Sequence, residues 1–367
     1  MTDSRPPAVR KSVRPAPAEF SIPQATSAQL KEEQARLASS GLAELGFCTK
    51  DLARAAALTW RINALKKLRD AVIPGHVYQR PEILLGVADF VGDSYQLAKL
   101  CAESKAKTIV FCGVRFMAET AAILSPDKEV LLPAPAAGCS LAESITAADV
   151  RRLKAENPGA PVAAYINTTA EVKAEADVIV TSANAARILG RLFAKSPRVI
   201  FLPDELMGRN LAAALGKKVG DELVLWKGTC IVHDHFDAFA MALYRKTYPG
   251  VRILAHTECS PELTAAVDFV GGTGDMMAYV EKTRAPFYML VTECGLGELA
   301  RTRFPHKRFV FMCRLCPHMK LTDLTAVLRA LESPSPATRV TVPAEVAARA
   351  RLSVKRMFEL AEDTVKL

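Results

Sequence analysis

No stretch of this chain offers about 18 uninterrupted apolar residues, so no membrane-spanning helix is expected. Met1 to Phe20 has no apolar run of the kind a secretory signal needs, and a cytoplasmic protein is the expectation. Aromatics make up only 7% of the residues. No basic run is interleaved with them, and no RNA-recognition or helix-turn-helix pattern occurs, so the net charge of +9 does not signal a nucleic-acid partner. Lys and Arg are spread through the chain, with small excesses in the N-terminal tail and around Arg61 to Arg69, as suits a field that attracts anionic substrates. The nine cysteines are odd in number and scattered, which does not look like a disulfide framework. Reduced thiols, some of them metal ligands, fit better. A zinc site is half present at Cys313-Arg-Leu-Cys316, but no second CxxC or His pair completes it.

What the chain has is a repeat. DELVLWKGTC carries an apolar run, Leu223 to Trp226, into a turn that presents Cys230, and His233 follows three residues later. KEVLLPAPAAGC ends in the same manner at Cys139, and KRFVFMCRLC at Cys316. The cysteines stand 91 residues (139 to 230) and 86 residues (230 to 316) apart. Around them, short apolar runs alternate with helical segments of about ten residues, the pattern of parallel sheets wrapped by helices. The expectation is an α/β protein of three homologous three-layer αβα domains. Short parallel sheets and a pseudo-three-fold arrangement around a central site complete it.

The expected boundaries are an extension over 1–45, domains over 46–145, 146–236 and 237–325, and C-terminal helices over 326–367. The Pro- and Arg-rich start, to about residue 24, reads as disordered, because it has little apolar surface to offset the backbone entropy of ordering. Ala28 to Leu58 and then Trp60 to Asp70 read as helix. The helical segment 340–367 is expected to pack on the first domain.

Polar residues cluster at the carboxyl ends of the predicted strands, where open α/β sheets bind ligands. Three thiols meeting at one point would suit an iron–sulfur cluster with one open iron, or would be small apolar core residues. His256 and Glu258 follow a strand and precede the helix start at Ser260-Pro261. A carboxylate there can take a proton while the imidazole holds a carbonyl. Tyr165 and Asn167 alternate at strand spacing and so share one face. Hydroxyls and amides at helix starts, Ser94 and Ser182 among them, suit phosphate or dicarboxylate. GGTGD, from Gly271 to Asp275 and including Thr273, has the look of a phosphate-cradling loop.

Eleven segments in order extend these points: GHVYQRPEI, ADFVGDS, CGVRFMAETAAILSP, AAGCSLA, YINTTAEVKAEAD, VTSANA, LPDELMGRN, WKGTCIVHD, HTECSPE, TECGL and CPHMK. Together they make residues 70–325 resemble the quinolinate synthase family (quinolinate synthetase A) of bacterial NAD biosynthesis. The resemblance implies a [4Fe-4S] cluster held by Cys139, Cys230 and Cys316. It implies condensation of iminoaspartate with dihydroxyacetone phosphate to quinolinate, phosphate and water. In that light Glu258 is the candidate general base, with Tyr78 and Tyr165 as proton donors or relays. His76, His233 and His256 would hold carboxylate and carbonyl oxygens, and Ser94, Asn167, Ser182 and Thr273 would bind carboxylate or phosphate. The implied partners are L-aspartate oxidase or aspartate dehydrogenase, which supply iminoaspartate, and the iron–sulfur assembly machinery.

The chain departs from the family pattern at Val77, where a polar residue usually stands beside the cavity, and at Gly272, where a serine hydroxyl is lost. Val310 stands where some relatives have the first cysteine of a CxxCxxCP thiol switch, leaving Cys313 without that partner. Two rivals remain: a zinc-dependent lyase or aldolase on the same frame, and a non-enzymatic sensor or nucleic-acid-binding protein using the basic surface.

Overall fold

The computed structural model describes residues 22–361. The expected disordered start lies almost wholly outside them. The first helix, Ser27–Leu37, begins at a capping box in which Thr26 and Gln29 bond each other's backbone amides. The helix expected from Ala28 to Leu58 is broken in two at Gly41, whose φ of 103° a side chain resists. A Cβ there would also meet the Thr302 methyl. The chain re-enters helix over Thr49–Leu68.

Three parallel sheets follow. The first contains β1 (Ala71–Val72), β2 (Pro74–His76), β3 (Phe90–Gly92), β4 (Thr108–Val110) and β5 (Glu129–Leu131). Strand β1 pairs with β4, and β4 with β5; β2 pairs with β3 and touches the β4 exit through a Gly75–Cys112 bridge. The second runs β7 (Val178–Val180), β6 (Val162–Tyr165), β8 (Val199–Leu202), β9 (Leu223–Leu225). The third runs β11 (Phe269–Gly271), β10 (Val251–His256), β12 (Phe287–Glu293), β13 (Phe309–Val310), with β14 (Cys313–Arg314) also on β12. In the second and third sheets the first strand in sequence is flanked by the second and third, and the fourth lies outside the third; in the first, β1 and β2 together take the first strand's place, with β3 beside β2 and β4, then β5, beside β1. Parallel pairing requires a crossover, so helices occupy the intervals. Strands covered on both faces read as unbroken apolar runs, and Val162–Tyr165 and Val199–Leu202 are buried throughout.

The largest apolar core crosses from the first unit to the second, joining Phe111 and Leu141 to Val162 and Phe201. Helix Leu324–Glu332 packs on Thr49–Leu68, and the chain at Arg339 adds an antiparallel bridge to Leu131. The last helix, Ala344–Ala361, packs across two units. It lies chiefly on the second, against helix Ala170–Glu175 and β7, and meets the first at helix Arg115–Leu124, where Arg351 bonds the Ile123 carbonyl, and at Tyr95, whose ring faces Phe358. Its buried stripe of Val354, Met357, Phe358 and Ala361 docks on the core that the two units share, next to Val172 and Val178.

One correction concerns the thiols. Cys294 and Cys313 form a disulfide, their Cα atoms 4.8 Å apart. The β12–β14 pairing sets Thr292 opposite Cys313, which brings Cys294, two residues on, within reach. The other seven cysteines are free, as expected.

Candidate active site

At the exits of β2, β6 and β10 stand His76 and Tyr78, Tyr165 and Asn167, and His256 and Glu258. Each pair is two residues apart, the first member closing its strand and the second in the turn or bend that follows, and both members line the same cavity. At the exits of the flanking strands β3, β7 and β11 stand Ser94, Ser182 and Thr273. Ser94 and Thr273 each open a ten-residue helix, so their hydroxyls stand at helix starts. Beyond the last strands come Cys139, Cys230 with His233, and Cys316. All thirteen of these residues line one cavity, which holds about 720 Å³ counted out to its mouth.

The three sulfurs have a common local setting. Each faces the backbone amides two and three residues on, which favour the thiolate: Leu141 and Ala142, Val232 and His233, His318 and Met319. Ser140 ties two of the loops, donating to the Thr229 carbonyl at 3.1 Å and accepting from Ile231 N–H at 3.2 Å. Glu293, fully buried, anchors the third, accepting from Cys316 N–H at 3.2 Å and from Lys320 Nζ at 3.1 Å. Burial pushes the Cys139 thiol up to about 12 and raises Cys230 and Cys316 as well. Such thiols keep their protons in water and lose them only when a strongly bound cation displaces them. Three soft donors, each pre-set over amide hydrogens, fit an iron–sulfur cluster better than a hard cation.

Opposite them, Glu258 is buried and accepts from the Tyr165 hydroxyl at 2.5 Å and from His233 Nδ1 at 2.8 Å. Burial alone would raise its carboxyl, but the His256 and His233 imidazoles and these two bonds outweigh it and hold the group ionised. His76 and His256 are pushed down to about 3 and about 4, chiefly by burial, and so are neutral. In each, the amide two residues on donates to Nδ1, at 3.2 Å from Tyr78 and 3.3 Å from Glu258. That leaves the hydrogen on Nε2, a donor for substrate oxygen. Burial raises both tyrosine hydroxyls well above their ordinary value, so each is a proton-bearing phenol.

The Asn167 Oδ1 is buried without a partner among the described residues and borders the cavity. Below it lies Lys173, fully buried and pushed down to about 8 by burial. Its ammonium donates to the Ile166 carbonyl at 2.8 Å and to the Thr168 carbonyl, holding the loop that carries Asn167. Lys173 and Thr292 were not singled out from the sequence. A lysine on an amphipathic helix gives no sign that it turns inward, and a strand threonine gives none of its partners.

Two of the departures take a physical form. Val77 lies in an apolar cluster with Leu254, Met276 and Leu296 rather than on the cavity wall. At Gly272 a Cβ would stand 2.6 Å from the Ser182 Oγ, so the serine from the neighbouring unit fills the space a side chain would need. Among the described residues no helix is long and apolar enough to cross a membrane.

Residues 60–359 match the model of a protein family described as quinolinate synthetase A protein. A relative in Mesorhizobium japonicum, quinolinate synthase 2, is 47% identical over 80% of this chain and 88% of its own length. The quinolinate synthase of Caulobacter vibrioides is 45% identical over 83% of this chain and 82% of its own. That of Xylella fastidiosa is 44% identical over 82% and 86%.

Proposed function

The chain belongs to the quinolinate synthetase A family, and from that membership we propose that it is a quinolinate synthase acting in the cytoplasm in NAD biosynthesis. It condenses iminoaspartate with dihydroxyacetone phosphate, releasing quinolinate, phosphate and two waters. The observation that carries this reading is the convergence of Cys139, Cys230 and Cys316, one from each repeat, on the cavity that holds Glu258 and both tyrosines. Those three thiolates would hold a [4Fe-4S] cluster, which when bound supplies an open iron as Lewis acid. The three units would then be related by a pseudo-three-fold axis through the cavity.

The remaining roles belong to the protein's own groups. Ser94, Ser182, Thr273 and Asn167, with the helix-start amides, bind phosphate and carboxylate. His76 and His256 donate from Nε2 to carbonyl or carboxylate oxygen, and His233 assists them. Glu258, ionised and aligned by two donors, takes protons from the condensing carbon and nitrogen. Tyr165 and Tyr78 supply protons to departing hydroxyls. L-aspartate oxidase or aspartate dehydrogenase would supply the unstable imine, and the iron–sulfur assembly machinery the cluster.

One observation favours a second reading. Ligand atoms of Cys230, His233 and Glu258 lie within 4.8 Å of one another, as a single zinc ion in a lyase would need. That site would use one of the three thiols and break the His233–Glu258 bond. The deciding experiment is an ultraviolet–visible spectrum with iron and sulfide analysis on anaerobically purified protein, then a quinolinate assay. A brown protein with about four iron and four sulfide per chain that forms quinolinate supports the reading. A colourless protein holding one zinc overturns it.

A further inference from the structure

The loops that present two of the three thiols are bonded to each other, and the third loop is not. Ser140 follows Cys139 and opens the short helix Ser140–Glu143. Its hydroxyl donates to the Thr229 carbonyl at 3.1 Å and accepts from Ile231 N–H at 3.2 Å. Thr229 and Ile231 stand on either side of Cys230, so one side chain grips the backbone that presents the neighbouring thiol. The same two segments meet again at Ser144, whose carbonyl accepts from Trp226 Nε1 at 3.0 Å. Between these bonds lies Gly228, where a Cβ would stand 2.5 Å from the Ser144 Oγ. Residues 226–231 of the second unit are thus laid along 140–144 of the first. The Cys316 loop is carried differently. Glu293, of the same unit, accepts from Cys316 N–H, and Lys320 donates to the Tyr78 and Gln79 carbonyls. Among the described residues no hydrogen bond joins 313–318 to either of the other two cysteine loops. The repeat shows why. The residue after the cysteine is Ser140 in the first unit, Ile231 in the second and Pro317 in the third, and of these only serine has a side chain that both donates and accepts.

We infer that Ser140 is a positioning residue for the cluster ligands: it holds the Cys139 and Cys230 loops together as a pair before any cluster is bound, while Cys316 is set independently by Glu293 and Lys320. The inference rests on the iron–sulfur reading of the three thiols. Without the hydroxyl, the Ile231 amide and the Thr229 carbonyl lose their partner, and the two loops are free to drift apart when nothing bridges their sulfurs. Ligands held in place beforehand leave less ordering for binding to do, so a tied pair keeps its cluster longer than an untied one.

Ser140→Ala removes the hydroxyl, and Ser140→Thr keeps it. Deuterium exchange on the metal-free protein reads the tie directly. In the alanine variant, peptides covering 229–232 should exchange at least about five-fold faster than in wild type, while those covering 313–320 keep the wild-type rate. On the cluster-loaded protein under argon, an excess of iron chelator should bleach the visible absorption about ten-fold faster in the alanine variant, the effect of losing two ordinary hydrogen bonds. The threonine variant should bleach within about three-fold of wild type. Unchanged exchange over 229–232, or wild-type bleaching in the alanine variant, overturns the inference. Exchange that quickens equally over 313–320 marks general loosening and overturns it too. Wild type that takes up no iron–sulfur cluster sinks the functional reading instead, and exchange over 229–232 still decides whether Ser140 holds the two loops.

Discussion

Replacing Glu258 by glutamine separates the two jobs this side chain could do. The carboxylate is buried and accepts two bonds, from Tyr165 at 2.5 Å and from His233 at 2.8 Å. Glutamine keeps one acceptor oxygen and sets an amide donor against the other partner. Donor facing donor in a buried site would cost about 1–3 kcal/mol. Two relaxations relieve it: the Tyr165 hydroxyl can turn to accept, or His233 can move its hydrogen to the other nitrogen. The variant also no longer buries a charge, which returns part of the desolvation cost. Net stability should therefore change by no more than about 2 kcal/mol. Turnover should respond quite differently. An amide cannot take a proton, and loss of a positioned general base lowers kcat by about 10²–10⁴-fold. Steady-state quinolinate formation, thermal unfolding and the visible spectrum should be measured on the same anaerobic preparation. Intact cluster absorption and near-native melting with kcat down at least a hundred-fold is the expected result. A rate within ten-fold of wild type, with the cluster intact, would show that Glu258 is a structural carboxylate.

Cys230→Ser should leave the fold but lose most iron and visible absorption, since a hydroxyl is a poor substitute for a thiolate; full iron content would remove Cys230 from the ligand set. Glu293→Ala removes the counter-charge of Lys320, which is left with the Tyr78 and Gln79 carbonyls, and the acceptor of the Cys316 amide, so stability should fall by about 3–5 kcal/mol. A melting temperature within 2 °C of wild type would contradict that assignment. Stability should also decline as pH falls from about 6.5, because His76 and His256 are neutral in the fold, held near 3 and 4, while their unfolded counterparts take up protons. The unfolded state then binds more protons, so each histidine withdraws up to about 1.4 kcal/mol per pH unit below that point. Flat melting temperatures between pH 7 and pH 5, or an unchanged slope in a His76→Asn, His256→Asn variant, would refute it.

Much of the wall of the cavity was legible because strand exits are local. An apolar run followed by polar residues two apart, as in HVY, YIN and HTE, states both where a strand stops and which side chains share a face. The repeated passage from such a run to a cysteine marked the three thiols in the same way. The alternation of runs and helices indicated parallel sheets, and the strands lie where the runs are, within a residue or two. Where the reading missed, the missing term was a partner. The first long helix breaks at Gly41, where φ is positive and Thr302 leaves no room for a side chain. Cys294 found Cys313 through a strand pairing that no spacing announces.

The sequence alone determined the class of fold, the order of the units and the residues presented at each carboxyl edge, since these rest on periodicities of two and of about 3.6 that a few residues can carry. Tertiary structure decided what those residues do to one another. The Thr292 hydroxyl meets a tyrosine 214 positions away, and the Ser353 hydroxyl of the last helix reaches the Lys173 carbonyl across 180. Lys173 is held inside by carbonyls of its own loop. Burial then leaves His76 and His256 neutral and the two phenols protonated, while the groups around Glu258 hold it ionised against burial. A desolvation cost belongs to a place in the folded molecule, and no run of letters contains it.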